Sequence, residues 1–380
     1  MWRTASLLLA AVLILATLGI IMLASTSGVK ADAAFGDAHY FVKRQAVWLA
    51  VSLAAFLFCA RVIPLGAWRK LAVPLAALTM LLLLLVFSPD IGITVKGSSR
   101  WIGLGPMSFQ PSELAKLSMV ILLSWWGART QRWAGSFVRG FLVPMAALGA
   151  FALLILIEPD YGTTLLIGAV GLSILFLGGT RLAYLTVAAA IGAVGFVYMV
   201  MQNEVRMRRI VAFLDPEKYE QDAGFQLLQS KYALVTGGAT GTGLGESLQK
   251  RYYLPEAHTD FIYAIIGEEL GAVATLSVLA LYLVIFACGL RIALKSPDPF
   301  SQRVAFGITL MLTFQALINI GVVTGSLPTK GLPLPFISFG GSSLLISFAM
   351  VGLLLNIARQ SERDERKNES SAIKDRARWV

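Results

Sequence analysis

One acidic side chain stands where the chain could do acid–base chemistry. Asp260 ends the polar run 254–260 and directly precedes the apolar run 261–266. Desolvation raises the pKa of a carboxyl group half-buried at an apolar edge, which makes it a better general base. The position also suits a helix N-cap, where Asp is strongly preferred. Both interpretations stay open and are geometrically compatible. His258 is a candidate second base or orienting group, although a single loop histidine is more often neither.

A pair of opposite charges falls inside an apolar run. Glu113 and Lys116 are three residues apart, so they lie on one face of a helix. Ionisable residues inside a membrane span are rare and usually mark a cavity or a pathway. The pair could therefore line a cavity and help to orient an anionic head group. The alternative is an ion pair that only packs the helices together.

A cluster of arginines indicates where an anion could bind. Arg206, Arg208 and Arg209 follow an apolar run, and the forked guanidinium group matches the oxygens of a phosphate. A cluster that is solvated or that faces lipid head groups is an equally good interpretation.

Several familiar active sites are excluded by the motifs that the chain lacks. There is no G-x-x-x-x-G-K-[ST] sequence and hence no P-loop. Ser247 and Lys250 match S-x-x-K, but no S-D-N or K-T-G accompanies them, so a penicillin-binding acyl transferase is a poor fit. The chain has 2 histidines and 2 cysteines, far apart in sequence, which excludes a zinc site of the His/Cys type.

The composition shows in what surroundings these residues must act. Of 380 residues, 57% are hydrophobic and only 14% are charged, and the mean hydropathy is +0.72. A soluble domain cannot cover so much apolar surface with so few charges, and the same numbers exclude disorder. The net charge of +10 does not indicate a nucleic-acid partner, because the Lys and Arg residues lie in short loops between apolar runs. The chain is therefore predicted to be an all-α polytopic membrane protein.

Ten apolar runs are predicted to span the membrane as helices. They are residues 6–24, 46–64, 71–87, 111–126, 141–157, 162–178, 182–201, 261–290, 306–325 and 340–357. Lys and Arg accumulate in alternate loops and in the tail, which places both termini in the cytoplasm by the positive-inside rule. Residues 1–358 then form one transmembrane domain, and residues 359–380 form a basic cytoplasmic tail that is expected to be disordered.

Three loops on the predicted outer face are unusual. Residues 202–260 are far longer than most connections, yet contain enough aromatic residues to fold against something. Residues 96–111 place Arg100 beside Trp101, and residues 326–343 contain three prolines and a Gly-Gly pair, which exclude one continuous helix. Non-helical backbone at membrane depth survives only where protein or a water-filled cavity satisfies it. We therefore expect these loops to dip together around an outer cavity.

Long stretches of the chain resemble the SEDS family (shape, elongation, division and sporulation). The resemblance covers nearly the whole chain, and its most specific part is YLPEAHTDF with GEELG, within residues 243–271. The other characteristic pieces are KGSSRWIGLGPMSFQPSELAKL (96–117), EPDYGTT (158–164) and LPTKGLPLPFISFGGSS (327–343). The LPTKG sequence, and QK ahead of YLPEAHTDF, favour the cell-division branch of the family over the elongation branch. FISFGG, where FISYGG is commoner, is a small departure.

The resemblance implies ten spans and a peptidoglycan glycosyltransferase at the outer face of the bacterial inner membrane, at the division septum. Such an enzyme polymerises lipid II by inverting glycosyl transfer, with undecaprenyl pyrophosphate as the leaving group. The implied partners are a class B penicillin-binding transpeptidase of the FtsI type and divisome proteins of the FtsQ, FtsL, FtsB and FtsN type. Two alternatives stay open. One is a lipid II flippase, for which Glu113 and Lys116 are the best feature, and the other is a non-catalytic divisome scaffold.

The resemblance also assigns roles to the candidate residues. The essential aspartate of the family falls on Asp260, which becomes the predicted catalytic residue. The residues predicted to line the cavity or to bind the substrate pyrophosphate are Glu113, Lys116, Arg100, Trp101, Arg206, Arg208, Arg209, Lys231, Lys250 and His258. A divalent cation, Mg²⁺ or Mn²⁺, could bridge the pyrophosphate oxygens and Asp260, although the sequence offers no dedicated set of ligands.

Overall fold

The structure is a computed structural model that describes residues 1–95, 98–105, 107–222, 224–250 and 254–377. These described residues contain twelve α-helices and one small sheet. The helices are α1 (Trp2–Phe35), α2 (Tyr40–Leu57), α3 (Leu65–Leu85), α4 (Pro111–Arg129), α5 (Val143–Ile157), α6 (Tyr161–Leu177), α7 (Leu182–Met201), α8 (Glu204–Leu214), α9 (Phe225–Gly237), α10 (Ile262–Lys295), α11 (Pro299–Val323) and α12 (Gly341–Ala377). Short π-helical segments extend α2 at Phe58–Val62 and precede α5 at Phe137–Leu142.

All ten predicted spans coincide with helices, which confirms the all-α class. Within the described ranges, 8 helices are long and apolar enough to cross a membrane. The apolar helix α6 is shorter, and α4 carries Glu113, Lys116 and Arg129 among its apolar residues. The protein is thus a multi-span helical membrane protein. The count of ten spans and the cytoplasmic position of both termini remain predictions.

The centre of the bundle is formed by α4, α11 and α12. In its most apolar window, α12 is 83% buried inside the protein, whereas α7 is 11% buried and lies at the periphery. Small residues allow the central helices to approach closely. Gly289 of α10, for example, lies directly against Thr309 of α11, where a Cβ atom would clash.

A three-stranded antiparallel sheet stands between α3 and α4, where the sequence predicts only a loop. Its strands are β1 (Gly92–Val95), β2 (Ser98–Leu104) and β3 (Met107–Phe109), in the order β1-β2-β3. Ile93 pairs with Trp101, and Ile102 pairs with Phe109. These β-branched and aromatic residues stabilise the sheet through cross-strand contacts. The sheet fixes Arg100, which lies in β2, at the edge of the site.

The long loop 202–260 is partly folded, because it contains α8 and α9. The helix after it, α10, is interrupted at Gly271, whose φ of 76° and ψ of −176° are not helical. Glycine adopts such a conformation without the steric cost that other residues incur. The first part of α10, Ile262 to Leu270, is therefore a separate helical piece that directly follows Asp260.

The C-terminal segment differs from the disordered tail that the sequence predicts from residue 359. In the structure α12 continues to Ala377. No Gly or Pro occurs after Gly352 to interrupt the helix. Gln360 donates a hydrogen bond to Asp364 one turn later, at 3.1 Å.

Candidate active site

Asp260 is placed by a tight turn immediately before α10. The backbone N–H groups of Thr259 and Phe261 both donate to the carbonyl oxygen of Glu256, at 3.1 and 3.2 Å. Glu256 has a φ of 58°, a strained conformation for a residue other than glycine, of the kind that clusters at functional sites. The N-cap of α10 is Phe261, without a side-chain cap, so Asp260 lies just outside the helix. Its half-buried carboxylate is thus not the N-cap of this helix.

A second loop closes on Asp260 from the side of α11. Asn319 of α11 donates from Nδ2 to the backbone oxygens of both Asp260 and Leu332, at 2.7 Å each. The Asp260 carboxylate lies against Gly331, where a Cβ atom would come within 2.6 Å of Oδ2. Ser338 adds a 2.6 Å hydrogen bond to the carbonyl oxygen of Thr259. The predicted convergence of these two loops is therefore present, and a side chain at residue 331 would displace the Asp260 carboxylate.

Four basic side chains gather near Asp260 and form what we call the cationic cluster: Arg100, Arg206, Arg209 and Lys330. Arg100 donates from Nε and Nη2 to the carbonyl oxygens of Glu158 (2.9 Å) and Pro159 (2.7 Å). These bonds dock β2 onto the junction between α5 and α6.

Tyr161, the first residue of α6, organises two members of the cationic cluster. The Arg206 guanidinium lies 3.5 Å above the centroid of the Tyr161 ring, and the Lys330 ammonium lies 5.4 Å from it. Cation–π contacts of this kind hold a cation without neutralising its charge. Phe196 of α7 contributes a second ring, 5.2 Å from Lys330 Nζ.

The electrostatics of the cationic cluster show an excess of positive charge. Burial and the neighbouring Arg100 and Arg206 lower the pKa of Arg209, while Asp260 opposes that shift. Burial, together with repulsion by the three arginines and against the opposing charge of Asp160, lowers the pKa of Lys330 to about 8.

Two acidic residues border the cationic cluster without balancing its charge. Burial and the nearby Asp160 raise the pKa of Glu158 to about 8, while Arg100 opposes that shift. Glu158 is therefore mostly neutral at pH 7. Asp160 caps α6 and already accepts hydrogen bonds from Thr163 N (3.2 Å) and Thr163 Oγ1 (2.8 Å). The net positive charge suits a multivalent anion beside a single carboxylate, Asp260.

The predicted pair Glu113–Lys116 lies beneath the loop that follows α11. Its charged atoms are 2.6 Å apart and both side chains are almost fully buried. Lys116 also donates to Gln315 Oε1, and Gln315 donates to the carbonyl oxygen of Pro333, both at 2.7 Å. In the structure the pair supports the loop that carries Gly331.

Other predicted binding residues have different surroundings. Lys250 is buried and bonded to Glu269, and Lys231 packs against Gly325 at the end of α11. Arg208 is exposed, within 4.0 Å of Glu204 and 3.8 Å of Asp222.

Two more predicted residues lie at the border of the site. Trp101 is half-buried in β2, next to Arg100. His258 is buried, with the rings of Phe41 and Phe339 at 5.0 and 6.0 Å. Its carbonyl oxygen accepts a hydrogen bond from Phe339 N, so the residue joins the two loops.

Sequence reasoning missed Lys330, Asn319 and Tyr161 as site residues. Lys330 entered only as a loop charge for the orientation rule, and Asn319 is one polar residue within an apolar run. The LPTKG sequence was the available signal for Lys330, because it brings a lysine between a proline and the glycine that contacts Asp260.

The donor set does not fit a metal ion held by protein side chains. Across the described ranges, no three His, Cys, Asp or Glu side chains come together as such a site requires. The surroundings of Asp260 are instead dominated by cations. The predicted Mg²⁺ or Mn²⁺ ion remains a prediction.

Comparison with known proteins identifies the family. Residues 5–363 match the family described as cell cycle protein, whose model covers FtsW, RodA and SpoVE. "Probable peptidoglycan glycosyltransferase FtsW" of Geobacter sp. (strain M18) is 43% identical over 345 residues, which cover 91% of this chain and 94% of that protein. Stage V sporulation protein E of Bacillus subtilis (strain 168) is 41% identical over 355 residues, covering 93% of this chain and 97% of that protein.

Solved structures agree with the sequence relatives. A chain from a peptidoglycan synthase complex, studied for its coordination of polymerization and crosslinking, has a TM-score of 0.77 and 27% identity, covering 95% of this chain and 98% of that chain. The rod shape determining protein RodA of Thermus thermophilus has a TM-score of 0.69 and 26% identity, covering 95% of this chain and 97% of that chain. The chain therefore belongs to the FtsW, RodA and SpoVE family of cell cycle proteins, as its motifs indicate.

Proposed function

We propose that the chain is a peptidoglycan glycosyltransferase that polymerises lipid II with undecaprenyl pyrophosphate as the leaving group. The observation that carries this proposal is one half-buried carboxylate, Asp260, beside a cationic cluster that its acidic neighbours do not balance. Relatives at about 42% identity carry the name of this activity, and a structural neighbour comes from a peptidoglycan synthase complex.

The reaction follows from these two parts of the site. Asp260 takes the proton from the attacking hydroxyl of the acceptor sugar, and the hydroxyl oxygen forms the new bond to the anomeric carbon of the donor. The bond from that carbon to the pyrophosphate oxygen breaks, and its electron pair leaves with undecaprenyl pyrophosphate. Direct displacement inverts the anomeric configuration and needs one carboxylate, not the close pair of a retaining enzyme.

The cationic cluster stabilises the leaving group. Negative charge develops on the pyrophosphate as the bond breaks, and fixed cations aimed at that charge lower the barrier. Arg100 is held by two backbone carbonyls, and Arg206 by the ring of Tyr161. Both cations are thus positioned before the substrate arrives.

The finer assignments belong to the same proposal. Division rather than elongation is supported by the FtsW names of the relatives and by the LPTKG sequence. A class B penicillin-binding transpeptidase as partner is supported by the neighbour from a peptidoglycan synthase complex. We place the site on the outer face of the inner membrane, at the septum, because lipid II is consumed there in the family that the motifs indicate.

The test is the Asp260→Asn variant, purified with its transpeptidase partner and supplied with lipid II. Asparagine keeps the shape but cannot accept the proton, so we expect glycan polymerisation to fall at least 100-fold, within the range of a lost general base. Asp222→Asn is the matched control, because Asp222 is exposed in the same extramembrane region and should leave the rate unchanged. Normal polymerisation by Asp260→Asn would refute the proposal.

The same variant separates the two other candidate functions. A flippase would move lipid II across vesicle membranes independently of Asp260, and a scaffold would yield no polymer from the unaltered chain with every partner present. The feature that favoured transport, the Glu113–Lys116 pair, is buried and is linked through Gln315 to the loop that carries Gly331. We therefore place polymerisation first.

A further inference from the structure

Lys330 differs from Arg100, which donates to two backbone carbonyls, in having no acceptor within the described ranges. Its Nζ atom is buried, and the described residues offer it no hydrogen-bond partner. The ring faces of Tyr161 and Phe196 lie 5.4 and 5.2 Å from it. A buried ammonium without hydrogen bonds is costly, so such a group in a folded protein calls for an explanation.

The charges around Lys330 increase this cost. Arg100, Arg206 and Arg209 all repel its positive charge, and Asp160 is the acidic group that opposes them. The Asp160 carboxylate is engaged in capping α6. The protein thus maintains a fourth cation among three others with one shared acid to offset them.

Lys330 directly precedes the residue that contacts Asp260, which indicates a role for its unpaired ammonium in the site. The next residue, Gly331, lies against Oδ2 of Asp260, and Asn319 ties the backbone oxygens of Asp260 and Leu332 together. One loop therefore carries both the Lys330 ammonium and the glycine that lies against the Asp260 carboxylate.

Building on the proposed function, we propose that Lys330 is a substrate-binding residue whose ammonium donates hydrogen bonds to the diphosphate of the lipid-linked donor and selects diphosphate over monophosphate. Two phosphate groups supply oxygens to the arginines and to Lys330 at once. A monophosphate offers fewer oxygens and less negative charge to be shared among the four cations. Lys330 is thereby the member of the cationic cluster that binds the second phosphate group.

The titration of Lys330 gives this proposal a distinctive signature. Its pKa is lowered to about 8, whereas an arginine stays protonated throughout the accessible pH range. As the pH rises through about 8, Lys330 loses its proton while Arg100, Arg206 and Arg209 keep theirs. Affinity for the donor should therefore be constant below pH 7 and fall above pH 8.

The experiment measures KM and kcat for lipid II between pH 6 and 10, on the full chain with its transpeptidase partner. For the unaltered chain we expect KM to rise above pH 8, at nearly constant kcat, and to level off near the value of Lys330→Met. Glu158 ionises in the same pH range, so Glu158→Gln alone should retain the rise. Lys330→Arg combined with Glu158→Gln should remove it, because that double variant keeps a cation at residue 330 at every pH. Lys330→Met should raise KM about tenfold or more already at pH 7. Lys218→Arg is the matched control, since Lys218 is exposed and lies outside the cationic cluster, and it should retain the rise.

A binding measurement separates failure of this inference from failure of the proposed function. Calorimetric titration with undecaprenyl pyrophosphate and with undecaprenyl monophosphate needs no polymerisation. We expect the unaltered chain to prefer the diphosphate and Lys330→Met to lose that preference, with thermal unfolding unchanged. An unaltered preference in Lys330→Met, or a persistent alkaline rise of KM in Lys330→Arg combined with Glu158→Gln, would overturn the inference even if Asp260→Asn is inactive.

Discussion

Two buried lysines, Lys250 and Lys330, show how the protein uses the same side chain in two ways. The ammonium of Lys250 donates to Glu269 Oε1 (2.7 Å), Ser25 Oγ (2.9 Å) and the carbonyl oxygen of Gly245 (2.6 Å). The ammonium of Lys330 has aromatic rings and other cations around it and no acceptor among the described residues. Burial therefore does not distinguish the two lysines. They differ in the number of hydrogen-bond acceptors that the protein offers to each ammonium group.

The surroundings of Lys250 form a complete network. Glu269 is fully buried and also accepts from Ser25 of α1, at 2.7 Å to each carboxylate oxygen. Its neighbour Glu268 accepts from the Ser247 hydroxyl and from the backbone N–H of Leu248. The GEELG sequence thus ties the segment before Asp260 to α10 and α1. A network in which every charge is satisfied stabilises the fold and leaves nothing to bind a substrate.

The comparison predicts that loss of Lys250 destabilises the protein much more than loss of Lys330. Lys250→Ala leaves Glu269 charged, buried and without its partner, which typically costs about 3–5 kcal/mol. Lys330→Ala removes a repelled cation, so the unfolding free energy should stay the same or rise. Thermal unfolding in detergent measures both.

A double variant checks the reason for this difference. Lys250→Met combined with Glu269→Gln removes both charges and should recover much of the stability lost in Lys250→Ala. If Lys250→Ala and Lys330→Ala lose the same unfolding free energy, the number of hydrogen-bond acceptors does not explain how the two lysines differ.

Glu158 is the acidic counterpart of Lys330, and it predicts a pH dependence of stability. Both its carboxylate oxygens are buried without hydrogen-bond partners, and burial together with Asp160 raises its pKa from 4.5 to about 8. The unfolded chain ionises this group near pH 4.5, whereas the folded chain holds its proton until about pH 8. The stability that the protonated carboxyl contributes is therefore complete below pH 4.5 and is lost as the pH rises towards 8.

Glu158→Gln removes this penalty, since glutamine stays neutral at every pH. We expect the variant to match the unaltered chain at pH 4.5 and to exceed its unfolding free energy by on the order of 4 kcal/mol at pH 8. The control is Glu246→Gln, because Glu246 is exposed and should show no such dependence. A constant difference between pH 4.5 and 8 would contradict the buried, protonated state of Glu158.

The helices were predictable from the sequence, but their breaks and extensions were not. A long apolar run crosses a bilayer as a helix, because a helix satisfies its own backbone hydrogen bonds, and each predicted span is indeed helical. The pairing of β1 with β2 depends on contacts between residues 92–95 and 98–102, which no apolar period reveals. The interruption at Gly271 depends on tertiary contact, since the position for a Cβ atom there is occupied by Ala239 and Gly241 backbone.

The candidate site was predictable in its residue types and less so in its partners. Asp260, Arg100, Arg206 and Arg209 come together as the motifs indicate. Lys250 is a buried lysine like Lys330, but its ammonium donates to Glu269, 19 residues later. Sequence shows which groups are charged, whereas only the fold shows which charges are already paired.

The smallest expected effect separates neighbouring arginines of α8. Arg206 and Arg209 are three residues apart and lie on one face of α8, while Arg208 points to another. Arg208 is exposed and interacts with Glu204 and Asp222. Ion pairs exposed to water contribute little to the free energy of unfolding. We expect Arg208→Ala to leave KM for lipid II within twofold of the unaltered value and to change the unfolding free energy by less than about 1 kcal/mol. Arg206→Ala, in contrast, should raise KM about tenfold or more, because a charge-assisted contact to phosphate is lost. If both variants raise KM alike, the arginines act through the overall field of the loop, and contact with Tyr161 does not distinguish them.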